Sequence, residues 1–121
     1  MTAATVPGLD GRYPIDITTT GRRTGQPRRI EIAIHDIAGR LFISGMPSRR
    51  TRAWIHNLDA DPHLTVHVKA PGFEQDLPAT ARVITDETER RDIMPFIAAN
   101  WRRTDVDRMV EFSPLIEVKL D

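Results

Sequence analysis

Apolar and polar positions alternate with a period of two along most of the chain, the signature of strands with one buried face. Ile15 and Ile17 lead into the β-branched run Thr18-Thr19-Thr20, a strand ended by Gly21. Two glycines and a proline in Gly21-Arg22-Arg23-Thr24-Gly25-Gln26-Pro27 then predict a reversal of direction. Ile30, Ile32 and Ile34 alternate with Arg29, Glu31, Ala33 and His35, giving a second strand. Ala38-Gly39 reads as a hairpin turn into Leu41-Phe42-Ile43-Ser44, whose nearly continuous apolar run suits a strand buried on both sides. Leu64, Val66 and Val68 alternate with Thr65, His67 and Lys69, and Pro71-Gly72 turns the chain toward another strand from Leu77 to Ile84. A last strand runs from Leu115 to Leu120, with Ile116, Val118 and Leu120 on one face.

The period changes in three places. Ala53, Trp54, Ile55 and Leu58 fall at helical spacing, with Ser48 or Thr51 as the N-cap and a stop near Asp61-Pro62. Thr85-Asp86-Glu87-Thr88-Glu89 sets cap residues and acids ahead of Ile93, Phe96 and Ile97, which places negative charge at the positive end of a helix dipole. Pro95 is expected to kink that helix or divide it, and Thr104 to Phe112 reads as a further short helix. Six strands with two or three short helices make a β-rich α+β chain: an antiparallel sheet closed into a small barrel, helices packed outside. Strand–helix alternation is too sparse for a dinucleotide-binding α/β fold. Residues 1–13 read as a flexible arm and 14–121 as one domain.

Composition narrows the chemistry. The chain has 121 residues and no cysteine, which excludes disulfides, thiolate metal sites and cysteine nucleophiles. Its longest stretches without Asp, Glu, Lys or Arg span nine residues, far below the ~20 of a membrane-spanning helix. Met1 to Thr5 carries neither a basic nor an apolar leader region, so the expectation is a cytoplasmic protein. Seventeen basic residues balance seventeen acidic ones, which argues against nucleic acid as a partner. The charge is nevertheless uneven: Gly21 to Arg52 holds eight arginines against Glu31 and Asp36, a local +6.

That segment begins with the glycine-bounded turn. Closely approaching backbone amides and the guanidinium forks of Arg22, Arg23 and Arg28 can together hold a phosphate or carboxylate. The turn lacks the spacing of a P-loop and of the dinucleotide glycine motif. Thr18 to Arg28, eleven contiguous residues, closely resembles the signature of the deazaflavin-dependent nitroreductases, also called F420H(2)-dependent quinone reductases. Ala53-Trp54-Ile55-His56-Asn57-Leu58-Asp59-Ala60-Asp61-Pro62 looks like the same family's Trp-x-x-Asn-Leu-x-Ala-x-Pro segment, and the likeness extends over about Ile15 to Leu120.

The resemblance implies a split β-barrel related to flavin reductases. It also implies hydride exchange between coenzyme F420 and a small organic acceptor, a quinone or nitro compound, with the cofactor supplying the chemistry and no catalytic side chain. By matched position, Arg22, Arg23, Thr24 and Arg28 would contact the anionic parts of the cofactor. Ser44, Gly45, Trp54, Ile55, His56 and Asn57 would line its ring or side chain, with Trp54 also a core anchor. A half-open barrel closing against a second copy suggests a homodimer. Two alternatives stay open: FMN in the same barrel, or a non-catalytic carrier of a fatty acid or other anionic ligand.

The chain also departs from the members of the family it resembles. Ile30-Glu31-Ile32-Ala33 stands where they carry Asn-Pro-Leu-Tyr, Gly45 to Arg50 replaces a lysine- and glycine-rich loop, and Tyr13 is the sole tyrosine. Cofactor binding is thus better supported than nitro-group reduction. His63 and His67 lie four apart on a strand, roughly 13 Å along one face, too far to share a metal ion. No metal site is expected, and Asp105 and Asp107 read as a solvated helix start.

Overall fold

The structure is a computed structural model describing residues 11–70 and 73–121. The strands are β1 (Gly11–Thr20), β2 (Pro27–Ile37), β3 (Arg40–Ser44), β4 (His63–Ala70), β5 (Phe73–Val83) and β6 (Leu115–Leu120). The helices are α1 (Ala53–Ala60), α2 (Glu87–Asn100) and α3 (Val106–Phe112). Every neighbouring pair of strands is antiparallel, in the order β1-β2-β3-β6-β5-β4, and β4 returns to β1 to close the barrel. The closing seam is short. Among the described residues it pairs only Asp16 with His67, Ile17 with Val66 and Thr18 with Thr65, against ten pairs between β1 and β2.

Alternation along the strands sorts side chains into two clusters. Ile15, Ile17, Ile34, Leu41, Ile43, Leu64, Val66, Ile116 and Val118 fill the barrel, and α1 adds Trp54, Ile55 and Leu58. Phe42, Ile84 and Leu115 form a second cluster with Ile93, Met94 and Ile97 of α2 and Met109 and Val110 of α3. The unbroken apolar run of β3 is thereby explained: Leu41 and Ile43 belong to the interior cluster and Phe42 to the one beneath the helices.

A buried carboxylate ties α2 to the barrel. Glu117 on β6 accepts from Arg40 Nε at 2.9 Å and Nη2 at 3.2 Å, and from Arg82 Nη2 at 2.8 Å. Arg82 reaches on to Glu89 of α2 at 2.9 and 2.6 Å. The two guanidinium groups outweigh burial and hold the Glu117 carboxyl down to about 2. Arg90 supports the same junction by donating to the main-chain oxygens of Ile84, Val110 and Ser113.

Several boundaries differ from expectation. β1 takes in Gly11 to Tyr13, paired with Asp36, His35 and Ile34, so these residues join the sheet instead of the arm, while 1–10 lie outside the described residues. The Pro71-Gly72 turn also lies outside them. β5 begins at Phe73, four residues before Leu77, because it pairs with β4 out to Ala70. Neither Ser48 nor Thr51 caps α1. Arg52 occupies that position without a side-chain bond, and Ser48 Oγ instead accepts from Arg50 N. Asp86 does cap α2, accepting from Glu89 N at 2.9 Å. Pro95 does not divide α2: it and Arg91, whose carbonyl loses a donor, are both exposed, where solvent can satisfy a carbonyl that the helix does not. Among the described residues no helix is long and apolar enough to cross a membrane.

Candidate functional site

Thr20 pairs with Pro27, which leaves residues 21–26 as a tight loop between β1 and β2. Gly21 N donates to Gln26 O and Gly25 N to Gly21 O, each at 2.8 Å, and Gln26 N donates to Thr24 Oγ1 at 3.2 Å. Gly25 has φ +69°, a conformation glycine adopts without steric cost. Gly21 is required for space: a Cβ there would lie 2.9 Å from Thr24 Oγ1 and 3.2 Å from Gln26 O.

Asn57 of α1 fixes this loop from the other side. Its Oδ1 accepts from Arg22 N at 3.0 Å and its Nδ2 donates to the buried Thr19 Oγ1 at 3.2 Å. Loop and helix together enclose a cavity of about 440 Å³ lined by Gly21, Arg22, Arg23, Thr24, Arg28, Ile30, Ala53, Trp54 and Asn57. Arg22, Arg23 and Arg28 are exposed, and among the described residues none of them pairs with a carboxylate. Their neighbour Arg29, by contrast, is held by Asp16 at 2.8 Å. Trp54 is 8% exposed, so its indole serves the core and the cavity wall at once.

A second cavity of about 460 Å³ adjoins the first, sharing Ile30 and Trp54 with it. Ser44 and Gly45 line it, together with Ala33, Met46, Arg52 and Trp101. The Ser44 hydroxyl is committed to Pro114 O at 2.6 Å.

Eight of the ten predicted site residues therefore gather at two adjoining cavities: Arg22, Arg23, Thr24, Arg28, Trp54 and Asn57 at the first, Ser44, Gly45 and again Trp54 at the second. Ile55 and His56 are not brought there. Ile55 is buried in the barrel cluster and lines a different cavity, with Arg49 and Arg90, while His56 is half-buried on α1 and lines neither of the two. Both follow Trp54 in sequence, and helical geometry swings successive side chains about 100° apart. The other histidines point to separate partners: His67 bonds Thr18 Oγ1 and Asp76 Oδ1, each at 2.7 Å, and His63 bonds Asp61 at 2.9 Å. Sequence reasoning missed Trp101, which ends α2 and packs edge-on to His35 with ring centres 4.9 Å apart. Nothing in its local pattern joins it to β2. Arg52 was visible only as one of the arginines in the +6 segment.

The fold recurs in solved structures. One described as an F420-H2 dependent reductase (FDR-A) is 20% identical, with 88% of this chain and 93% of the other covered and a TM-score of 0.63. Another, described as an F420 reductase, is 14% identical over 97% and 96% of the two chains, with a TM-score of 0.64. HutZ, the heme storage protein from Vibrio cholerae, is 11% identical over 89% and 81%, with a TM-score of 0.66. These likenesses establish a shared split barrel, with the six antiparallel strands and three helices described above. Sequence carries the assignment further, because the model of one family matches residues 3–115, nearly the whole chain. The chain belongs to the F420H(2)-dependent quinone reductase family.

Proposed function

We propose that this protein transfers a hydride between coenzyme F420 and a small organic acceptor, a quinone in the first instance. The observation that carries the reading is the set of three guanidinium groups, Arg22, Arg23 and Arg28, standing around one cavity with no carboxylate partner among the described residues. Unpaired arginines beside a glycine turn suit a ligand that brings several negative charges. The donor set thus fits the phosphate-bearing acidic tail of F420, and the apolar side formed by Trp54, Ile30 and Ala53 fits a flat ring. FMN, with its single phosphate, calls for fewer cations.

The cofactor, when bound, supplies the hydride. The protein's part is placement: Asn57 holds the loop, the arginines hold the anion, and Trp54 stands where the two cavities meet. Close, aligned approach of donor and acceptor is the main requirement of such a reaction. We further read the chain as cytoplasmic, and as forming a homodimer; a structural relative 20% identical to it is described as a domain-swapped dimer.

Direct fluorescence titration tests the reading. F420 is expected to bind more tightly than FMN and to weaken as salt screens its tail. Equal or tighter binding of FMN refutes the cofactor assignment. Tight binding of F420 without oxidation of its reduced form by any acceptor favours a carrier.

A further inference from the structure

A third cavity, of about 390 Å³, plays no part in the functional reading. Ile55 and Asp59, four apart on one face of α1, line it, whereas Trp54 and Asn57 of that helix face the arginine loop. Its other walls are residues 48–52 and 111–116. The first of these is fixed to the end of α3: Ser48 N donates to Phe112 O at 3.0 Å, and Arg49 Cζ lies 5.0 Å from the centre of the Phe112 ring. Arg49, Arg50, Arg52 and Arg90 line the cavity, and among the described residues none of them lies within ion-pairing distance of a carboxylate. Asp59 and Glu111 line it as well, both exposed, which leaves a formal +2. Arg90 is half-buried and spends its donors on the main-chain oxygens of Ile84, Val110 and Ser113, so no acid offsets its charge. Ser113 is 2% exposed, lines the same cavity, and has an Oγ without a hydrogen-bond partner. Thr51 and Arg52 lead into α1, whose first turn has neither a capping side chain nor an acid, so the positive end of its dipole adds to the same field.

We propose that this cavity is a second anion site, separate from that of the cofactor, and that it takes a small phosphomonoester. Such a group carries about two negative charges at neutral pH, which the formal +2 of the lining cancels and a single carboxylate does not. Arg49 and Arg50 are consecutive and Arg52 stands two further on, so the charge is concentrated on one short segment. That concentration suits three oxygens on one phosphorus better than the separated ends of a dicarboxylate. Ile55, Val83, Phe112 and Pro114 supply an apolar wall. The volume is more than ten times the ~30 Å³ share of one water, which leaves room for an organic group beside the phosphate. Neither this site nor the cofactor reading depends on the other.

Calorimetric titration of the whole protein with phenyl phosphate, inorganic phosphate and succinate, at matched ionic strength, tests the proposal. Phenyl phosphate is expected to bind about fivefold or more tighter than either of the others, because its ring reaches the apolar wall. The double variant Arg49→Gln/Arg50→Gln changes two exposed residues that line neither cofactor-side cavity. It should raise the phenyl phosphate Kd about tenfold or more and leave the F420 Kd within about twofold. Amide NMR signals of Thr51, Arg52 and Ser113 should shift on adding phenyl phosphate, and those of Gly21 and Gly25 should not. An unchanged phenyl phosphate Kd in the double variant overturns the site, as does its displacement by F420, which would make the cavity part of the cofactor site. Equal or tighter binding of succinate or inorganic phosphate overturns the ester assignment. Absence of phenyl phosphate binding to wild type overturns the proposal outright, while F420 titration of the same preparation reports separately on the cofactor reading.

Discussion

Asn57 Oδ1 accepts the main-chain N–H of Arg22 at 3.0 Å, so the helix that carries Trp54 also sets the position of the arginine loop. Removing that amide by Asn57→Ala leaves the Arg22 N–H and the Thr19 hydroxyl without their partner, at a cost of about 1–3 kcal/mol in folding stability. The F420 Kd should rise by about tenfold or more as the loop loosens, a change of about 1.4 kcal/mol. Urea denaturation and titration of one preparation report both effects. A variant that loses stability yet binds normally shows that the loop holds its shape without the helix.

The loop arginines should behave in the opposite way. Arg22→Ala and Arg28→Ala are each expected to weaken F420 binding by about 1–3 kcal/mol with little change in unfolding midpoint, because both residues are exposed. Wild-type affinity should fall steeply with salt, and less steeply in either variant. Unchanged dissociation constants in both would make the loop a solvated basic turn.

Acid sensitivity follows from Glu117. Its carboxyl is held at about 2 by Arg40 and Arg82, against an ordinary value of 4.5. A lowered folded value contributes stability that is fully present above the unfolded value and is lost as pH falls from about 4.5 toward 2, on the order of 3 kcal/mol in all. Glu89, also lowered by Arg82, is partly exposed and adds less. Glu117→Gln should therefore be less stable than wild type at pH 7 and flatten the loss between pH 5 and 3. Parallel profiles in urea melts would locate the acid sensitivity elsewhere.

The β2–β3 turn offers a stabilising change. Ala38 and Gly39 both have positive φ, 53° and 82°, a pair of values that favours Asn-Gly and penalises a Cβ. Ala38→Asn is expected to raise stability by roughly 0.5–1 kcal/mol, with activity unchanged, since the turn lines neither cavity at the site. Thermal denaturation decides it; a lower melting temperature would refute the strain argument.

Acceptor choice is expected to favour quinones over nitroimidazoles. Ala33 lines the second cavity where relatives carry a tyrosine, and the cation there, Arg52, offers charge without a transferable proton. Quinone oxygens can take their proton from water, whereas stepwise nitro reduction gains more from a donor at the site. Matched acceptor panels with reduced F420 give the comparison. Nitroimidazole rates equal to or above quinone rates would defeat it.

The strand pattern was readable because interior positions recur every second residue: Ile15 and Ile17, Ile34, Val66 and Val68 needed no tertiary information to place. The loop was readable because eleven consecutive residues carry it. What escaped depended on contacts distant in sequence. Trp101 meets His35 sixty-six positions away, and Asn57 bonds Thr19 from another element. Ile55 and His56 lie away from the two cavities because proximity to Trp54 in sequence says little about the direction of a helical side chain. The cap of α1 was missed because Arg52 is held by Met46 O and does not itself cap the helix.

The brief β1–β4 pairing gives the cylinder a seam of low stitching. Among the described residues three pairs close it, reinforced on the outside by the Thr18–His67 contact at 2.7 Å, while the neighbouring β4–β5 border runs for eight. Opening there exposes two strand borders at the smallest loss of main-chain bonding, and each border can then be completed by the matching strand of a second copy. In the homodimer proposed above, exchange of strands between protomers would have its point of entry at this seam, and amide protons along Asp16 to Thr18 are the place to watch it begin.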